Sequence, residues 1–80
     1  MLKATVVGRV WSTKKVDGLP SGAFLEVEVG ETRLVALDVL GSGIGERVLV
    51  ATGSVAAAHF PPPHPPLDAL VIGSIDESVD

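Results

Sequence analysis

Residues 37–54, LDVLGSGIGERVLVATGS, are the stretch of sequence that decides the fold. They contain two apolar runs separated by a loop in which glycine occurs at alternate positions, Gly41, Gly43 and Gly45. Glycine reaches positive φ without a Cβ clash and lets another backbone approach closely, so this spacing favours a crowded, tightly turned connection. The same composition also fits an ordinary flexible loop. The stretch as a whole predicts a strand, the glycine-containing loop, a second strand and a turn.

Alternating polarity makes residues 23–29 the clearest strand of the sequence. Apolar side chains alternate there with Glu26 and Glu28, which predicts one apolar face directed inward. The two carboxylates fall on the outer face, where they indicate a solubilising surface and not a catalytic pair. The connection that follows, Gly30 and Glu31, is short enough to predict a hairpin that pairs this strand antiparallel with the next one.

The other elements follow from similar patterns of polarity, glycine and proline. Ser54 is expected to cap a short helix, because its hydroxyl can accept a free backbone N–H, and Pro61 ends that helix. The FPPPHPP segment predicts a stiff spacer, or else a motif bound by a proline-recognising partner. The last strand is apolar on both faces and is therefore predicted to be buried on both. We predict strands at residues 2–12, 32–39, 47–52 and 67–76, a turn-rich loop at residues 14–22, and a helix at residues 55–59.

Five short strands with one helix between the fourth and the fifth predict an all-β fold, a small OB-like barrel. No repeat or second domain is visible, so we expect one domain over residues 1–80. The core of so small a domain is marginal by itself, and the absence of cysteine excludes a disulfide or thiolate metal site. A hydrophobic content of 46% therefore indicates oligomerisation, with apolar surface buried between subunits.

The charge and hydropathy of the chain oppose binding to nucleic acid or to a membrane. The formal net charge is −4, whereas surfaces that bind nucleic acid are usually basic. Arg9, Lys14 and Lys15 lie close together in the sequence, but such a group more often forms a solvated turn than a binding patch. No apolar run approaches the roughly 20 residues that a helix needs to span a bilayer. We therefore expect a cytoplasmic protein without a nucleic-acid or membrane partner.

The sequence predicts no enzymatic activity, no cofactor and no metal site. His59 and His64 are the only imidazoles and Asp68 is the nearest further candidate ligand, whereas a zinc site needs three or four convergent ligands. The serines show no arrangement of nucleophile and base. The GSGIG sequence is not followed by the lysine and hydroxyl residue of a phosphate-binding loop.

Three segments of the sequence resemble one known family. Residues 3–29, KATVVGRVWSTKKVDGLPSGAFLEVEV, are similar to its first strand, basic loop and second strand. Residues 35–54, VALDVLGSGIGERVLVATGS, and residues 66–77, PLDALVIGSIDE, follow in the family's order and spacing. The family is that of the vertex proteins of bacterial microcompartments, the pentameric shell components of carboxysomes and of the ethanolamine-utilisation organelle. The sequence departs from the family pattern at its short hairpin connection and at Ser42, where the family has alanine.

The resemblance implies a structural shell protein of a bacterial microcompartment. Five copies are expected to form a cyclic homopentamer at the vertices of a polyhedral shell, in contact with hexameric shell proteins. The residues expected to form a ring at the five-fold axis are Gly41, Ser42, Gly43, Ile44, Gly45 and Glu46. We expect backbone amides, Ser42 and Glu46 to line this ring, either as a narrow conduit for small polar solutes or as a closed plug. If these glycines have positive φ, Gly43→Val is expected to impair assembly more than it perturbs the barrel.

A different function stays open at this stage. Small barrels of this kind also serve as binding modules for single-stranded nucleic acid or a small ligand. Single-strand binders need aromatic platforms and a basic groove, whereas this chain has one Trp, two Phe and no Tyr. The oligomeric state separates the two functions, because a stable pentamer supports the shell protein and a monomer with single-strand affinity supports the binding module.

Overall fold

The computed structural model describes residues 1–12 and 14–76 of the chain, and the predicted domain of residues 1–80 extends past them. Five strands form a closed barrel in the order β1-β2-β3-β5-β4, and one short helix lies between β4 and β5. The predicted five-stranded barrel is therefore confirmed. The elements are β1 (Leu2–Val10), β2 (Ala23–Val29), β3 (Thr32–Asp38), β4 (Arg47–Thr52), α1 (Ser54–Ala58) and β5 (Ala69–Ser74).

Antiparallel pairing joins all neighbours in the barrel except β3 and β5. β2 pairs with β3 along its whole length, which confirms the predicted hairpin at Gly30 and Glu31. Gly30 has a φ of 58°, a conformation that glycine adopts without strain. β3 and β5 run parallel, and Leu37 lies opposite Leu70 where they close the barrel. This closure joins strands that are distant in the sequence, so it brings the connection between β3 and β4 next to β5.

The strand directions place two connections at the same end of the barrel. Residues 11–22 connect the end of β1 to the start of β2. β3 runs antiparallel to β2 and therefore returns to that end, where residues 39–46 connect it to β4. We call residues 39–46 the glycine loop. The short hairpin between β2 and β3 lies at the opposite end.

Apolar residues from all five strands fill the interior of the barrel. Leu25 and Val27 of β2 have no exposed surface, which confirms the inward apolar face predicted for that strand. Glu26 and Glu28 lie on the outer face, where Arg33 reaches them at 3.5 and 3.4 Å. These exposed ion pairs add little stability, so burial of the apolar face is the main contribution of the strand. The interior cluster consists of Ala4, Val6, Leu25, Val27, Ala36, Val48, Val50, Ala69 and Val71.

A second apolar cluster covers part of the barrel's outer face. Helix α1 and the proline-rich segment pack there because the outward side chains of β3 and β5 are themselves apolar. Its buried members are Leu37, Ala56 and Leu70, with the partly buried Phe24, Phe60 and Leu67 packed against them. The helix and the proline-rich segment therefore complete the burial of the barrel where β3 and β5 meet.

Several predicted boundaries are wrong by one or two residues. β1 and β3 end earlier than predicted, β5 is shorter at both ends, and the helix begins and ends one residue earlier. The predicted cap at Ser54 is wrong, because Gly53 occupies the N-cap position with a φ of 76° and no side-chain capping hydrogen bond forms. The Gly53 N–H instead donates to the carbonyl oxygen of Asp68 at 2.7 Å, which ties the helix start to the chain entering β5. Ile72 of β5 stays 39% exposed, so the chain's own packing covers the outer face of that strand only in part.

Candidate functional site

The glycine loop is organised around the buried carboxylate of Asp38, the last residue of β3. Asp38 is 3% exposed. Its Oδ2 accepts hydrogen bonds from the N–H groups of Gly41 at 3.0 Å and Ser42 at 2.7 Å. Its Oδ1 accepts from the Leu40 N–H at 3.3 Å and from the Ser42 hydroxyl at 3.1 Å. A buried carboxylate is tolerated only when such donors replace its water, so the loop backbone and Asp38 stabilise each other.

Glu46 holds the other end of the loop. Its Oε1 accepts the Gly43 N–H at 2.9 Å, and the Ser74 hydroxyl donates to its Oε2 at 3.5 Å. The backbone also pairs with β1, because the Gly45 N–H donates to the Val6 carbonyl at 2.8 Å and the Val6 N–H donates to the Glu46 carbonyl at 2.9 Å. Contacts with β1 and β5 therefore hold the loop, and the tightly turned connection predicted from the glycine spacing is confirmed over the flexible loop. The predicted crowding is wrong, because a Cβ added to Gly41 or Gly45 meets no atom within 4 Å.

The loop glycines differ in what they require. Gly41 and Gly45 have φ of 84° and 93°, which confirms the expectation that at least one of them adopts positive φ. Gly43 lies outside that region, and a Cβ added to it meets only Glu46 Oε1 at 3.4 Å. Backbone strain therefore falls on Gly41 and Gly45, so the expected effect of Gly43→Val on assembly does not follow from positive φ at that position.

The exposure of the loop side chains differs from the pattern that the sequence suggests. Ser42 is 4% exposed and its hydroxyl is bonded to Asp38, whereas Ile44 is 67% exposed at the tip of the loop. The Ser42 hydroxyl therefore adds a hydrogen bond inside the subunit. Glu46 and Gly45 are exposed beside Ile44. The surface of the loop is formed by an apolar side chain, backbone and one carboxylate.

Asp38 organises the loop, and this role was not predicted from the sequence. An aspartate just before a glycine-rich connection often accepts hydrogen bonds from backbone N–H groups two or more residues ahead. That signal is present in the sequence Asp38-Val-Leu-Gly41, but the burial that gives it weight arises only from the closed barrel.

The other candidate groups do not converge. Among residues 1–12 and 14–76, no three His, Cys, Asp or Glu side chains are placed to hold a metal ion. His59 packs edge to face against Phe60, with ring centroids 5.1 Å apart, and His64 Nδ1 lies 2.9 Å from the Phe60 carbonyl oxygen. In that same part of the chain, no helix combines the length and apolarity required to cross a membrane.

Comparisons with known proteins agree with the fold. Residues 1–76 match the family model described as ethanolamine utilisation protein EutN/carboxysome. The chain is 41% identical to the carboxysome shell vertex protein CcmL of Synechocystis sp., over 95% of this chain and 83% of that protein. It is 35% identical to the bacterial microcompartment shell vertex protein EutN of Salmonella typhimurium, over 99% of this chain and 87% of that protein.

A solved structure gives a similar result at higher identity. The pentameric shell protein MSM0273 from the RMM microcompartment is 60% identical, with a TM-score of 0.92 over 100% of this chain and 95% of that chain. These relatives are structural shell proteins and not enzymes, and the resemblance identified from the sequence is confirmed. The chain belongs to the ethanolamine utilisation protein EutN/carboxysome family, whose relatives named above include microcompartment shell vertex proteins.

Proposed function

We propose that five copies of this chain form a closed ring that occupies the vertices of a polyhedral bacterial microcompartment shell in the cytoplasm. It is a structural shell protein and not an enzyme. The observation that carries the proposal is the 60% identity, across the whole chain, to a pentameric shell protein with the same fold. In this assembly each subunit is one domain spanning residues 1–80.

The geometry of a closed shell explains why such a ring is needed. Hexagonal tiles alone form flat layers, and five-sided units introduce the curvature that closes them. The subunits of a five-fold ring meet through repeated heterologous contacts, in which two different surfaces of the same chain pair. The sides of the ring then contact hexameric shell proteins. Exposed apolar residues that contacts between subunits or with other shell proteins can cover include Trp11 at 83% and Val55 at 70% exposure.

We further propose that the glycine loops of the five subunits converge at the five-fold axis. The hydrogen bonds of Asp38 and Glu46 support this role, because a loop held at both ends keeps one shape in all five copies. Ile44, Gly45 and Glu46 then face the axis, and the buried Ser42 does not. An apolar ring of Ile44 favours a plug over a conduit for polar solutes, since apolar constrictions exclude water.

Cysteine cross-linking tests the position of the loop, because the native chain contains no cysteine. Oxidised Ile44→Cys is expected to form disulfide-linked dimers within each pentamer, leaving one subunit of the five unpaired. Glu31→Cys, at the opposite end of the barrel, is the control and is expected to stay uncross-linked. Pentamers of Ile44→Cys that form no disulfide would place the loop away from the axis without affecting the proposed ring.

Native mass spectrometry tests the ring itself. We expect a discrete pentamer with a formal charge of five times −4, or −20, which keeps free rings apart in solution. Cells that lack the protein are expected to contain elongated or unsealed shells, because layers without five-sided units grow but do not close. Polyhedral shells of normal shape in such cells, with no second vertex protein present, would contradict the vertex role.

Family membership favours this function over the binding module considered from the sequence. A module for single-stranded nucleic acid would be monomeric and would shift the electrophoretic mobility of an oligonucleotide. The same purified sample therefore separates the two functions, since a pentamer without oligonucleotide affinity fits only the shell protein.

A further inference from the structure

One surface feature has no role in the loop or in the interior of the barrel. Trp11, the only tryptophan of the chain, follows β1 and is 83% exposed. Val10 before it is 37% exposed, and Val16 in the same connection between β1 and β2 is 66% exposed. A groove of about 110 Å³ lies next to it, between the end of β1 and the start of β2. The groove is lined by Arg9, Val10, Trp11, Ser12, Lys15, Gly22, Ala23 and Phe24. We call this groove, together with Val16 and Lys14, the Trp11 patch.

The Trp11 patch is positively charged although the chain is acidic. It contains Arg9, Lys14 and Lys15, which are three of the six cationic residues of the chain. The ammonium group of Lys15 lies 5.3 Å from the centroid of the Phe24 ring. Within the described residues, none of the three cations forms an ion pair with a carboxylate. Tryptophan and arginine are enriched where protein surfaces meet, and an apolar surface with unpaired cations calls for an apolar partner that carries carboxylates.

The glycine loop has the complementary properties. Leu40 and Ile44 are 55% and 67% exposed, and the carboxylates of Glu46 and Asp76 are exposed near the base of the loop. Asp76 is close because the Ile75 N–H donates to the Arg47 carbonyl at 2.8 Å. Apolar side chains and negative charge therefore occur together here, opposite in sign to the Trp11 patch.

The two surfaces are also placed as a ring requires. Both lie at the same end of the barrel, because β1 and β3 finish at that end. Both stay exposed in the single chain, so neither is covered by the other within one subunit. A heterologous ring needs two such different surfaces on each copy.

We propose that the Trp11 patch of each subunit receives Leu40 from the glycine loop of the next subunit, with Asp76 facing its cations. This contact rests on the proposed pentamer and specifies which surfaces join its subunits. The contact buries Trp11 at the subunit interface. It also brings the basic region of one subunit next to an acidic region of the next, although the net negative charge of the chain otherwise makes its copies repel one another.

A pair of cysteines tests this contact directly. The double variant Trp11→Cys/Leu40→Cys is expected to form disulfides between neighbouring subunits and to give a ladder of covalent species up to five chains on a non-reducing gel. Both positions are exposed, so the barrel itself is little affected. The control Trp11→Cys/Glu31→Cys places the second cysteine at the opposite end of the barrel and is expected to give no ladder.

The single tryptophan supplies an independent measurement on proteins without cysteine. The fluorescence emission of Trp11 is expected to lie at short wavelength in the pentamer. It is expected to shift to longer wavelength when dilution separates the subunits. Trp11→Ala and Lys15→Glu are expected to raise the dissociation midpoint, measured by mass photometry or native mass spectrometry, about tenfold or more. Folding of these variants is checked by far-ultraviolet circular dichroism.

The outcomes distinguish the contact from the pentamer. A ladder together with short-wavelength emission supports the contact. A wild-type pentamer in which Trp11 emits as a solvent-exposed indole, together with a double variant that gives no ladder, overturns the contact and leaves the pentamer intact. A wild-type protein that stays monomeric at all concentrations overturns the proposed pentamer, and the contact with it.

Discussion

Replacement of Asp38 by alanine removes the acceptor that organises the glycine loop. Leu40 and Gly41 are exposed, so water can take the place of the carboxylate for their N–H groups. Ser42 is 4% exposed, and its N–H at 2.7 Å and hydroxyl at 3.1 Å both lose their acceptor. A buried donor without a partner costs about 1–3 kcal/mol, so two of them give about 2–6 kcal/mol. The variant no longer buries a carboxylate, and this gain offsets part of the cost. We therefore expect the free energy of unfolding to fall by about 3 kcal/mol in total.

Urea unfolding followed by circular dichroism measures this loss. All variants are compared at one protein concentration, because the stability of an oligomer depends on concentration. For a domain of this size, about 3 kcal/mol corresponds to a fall in Tm of roughly 12–24 °C. Asp38→Asn keeps one carbonyl oxygen and is expected to lose about half as much. The exposed Asp68 is the control, and Asp68→Asn is expected to change stability by less than about 0.5 kcal/mol. An Asp38→Ala protein as stable as this control would refute the assignment of Asp38 as the organiser of the loop.

Four further substitutions test the glycines and the core by the same unfolding measurement. Gly22→Ala is expected to cost about 3 kcal/mol or more, because its φ is 153° and the added Cβ lies 2.6 Å from the Asp38 carbonyl oxygen; a loss below about 1 kcal/mol would contradict this close approach. Gly41→Ala, at a φ of 84°, is expected to lower the free energy of unfolding by about 1–2 kcal/mol. Gly43→Ala lies outside the positive-φ region and is expected to change it by less than about 0.5 kcal/mol. Equal losses at the two positions would contradict the assigned conformations. Leu25 has no exposed surface, so Leu25→Ala leaves a cavity in the barrel and is expected to cost about 2–5 kcal/mol. A smaller loss would indicate that the interior collapses into the cavity.

The departure at Ser42 shows how a surface interpretation changes once burial is known. As a sequence feature, a hydroxyl between two glycines suggests a more polar rim for a ring of loops. In the structure the hydroxyl donates to Asp38 and only 4% of the residue is exposed. The hydroxyl therefore stabilises the loop inside the subunit, and Ile44 is the loop side chain that water reaches.

Local patterns in the chain were enough to predict most of the barrel. The alternation in β2 and the two-residue connection at Gly30 and Glu31 depend on neighbours in the sequence, and both predictions are confirmed. The order of elements and the resemblance of three long segments also led to the correct family. Boundaries were less accurate, because tertiary contacts decide where a strand stops pairing and which residue begins a helix. At Gly53, the hydrogen bond to Asp68 accompanies a positive φ at the cap, and no periodicity in the sequence contains that information.

The properties of the candidate site depend instead on residues that the closed barrel brings together. Pairing of Leu37 with Leu70 sets β5 beside the glycine loop, so that Ser74 can reach Glu46 across a long separation in sequence. Burial of Asp38 and exposure of Ile44 both result from the packing of distant strands. The sequence specifies the chemistry of a side chain, whereas that packing decides whether the side chain loses contact with water. Alternation and turn residues thus determine the strands, and the closure of the barrel decides what its loops present to another subunit.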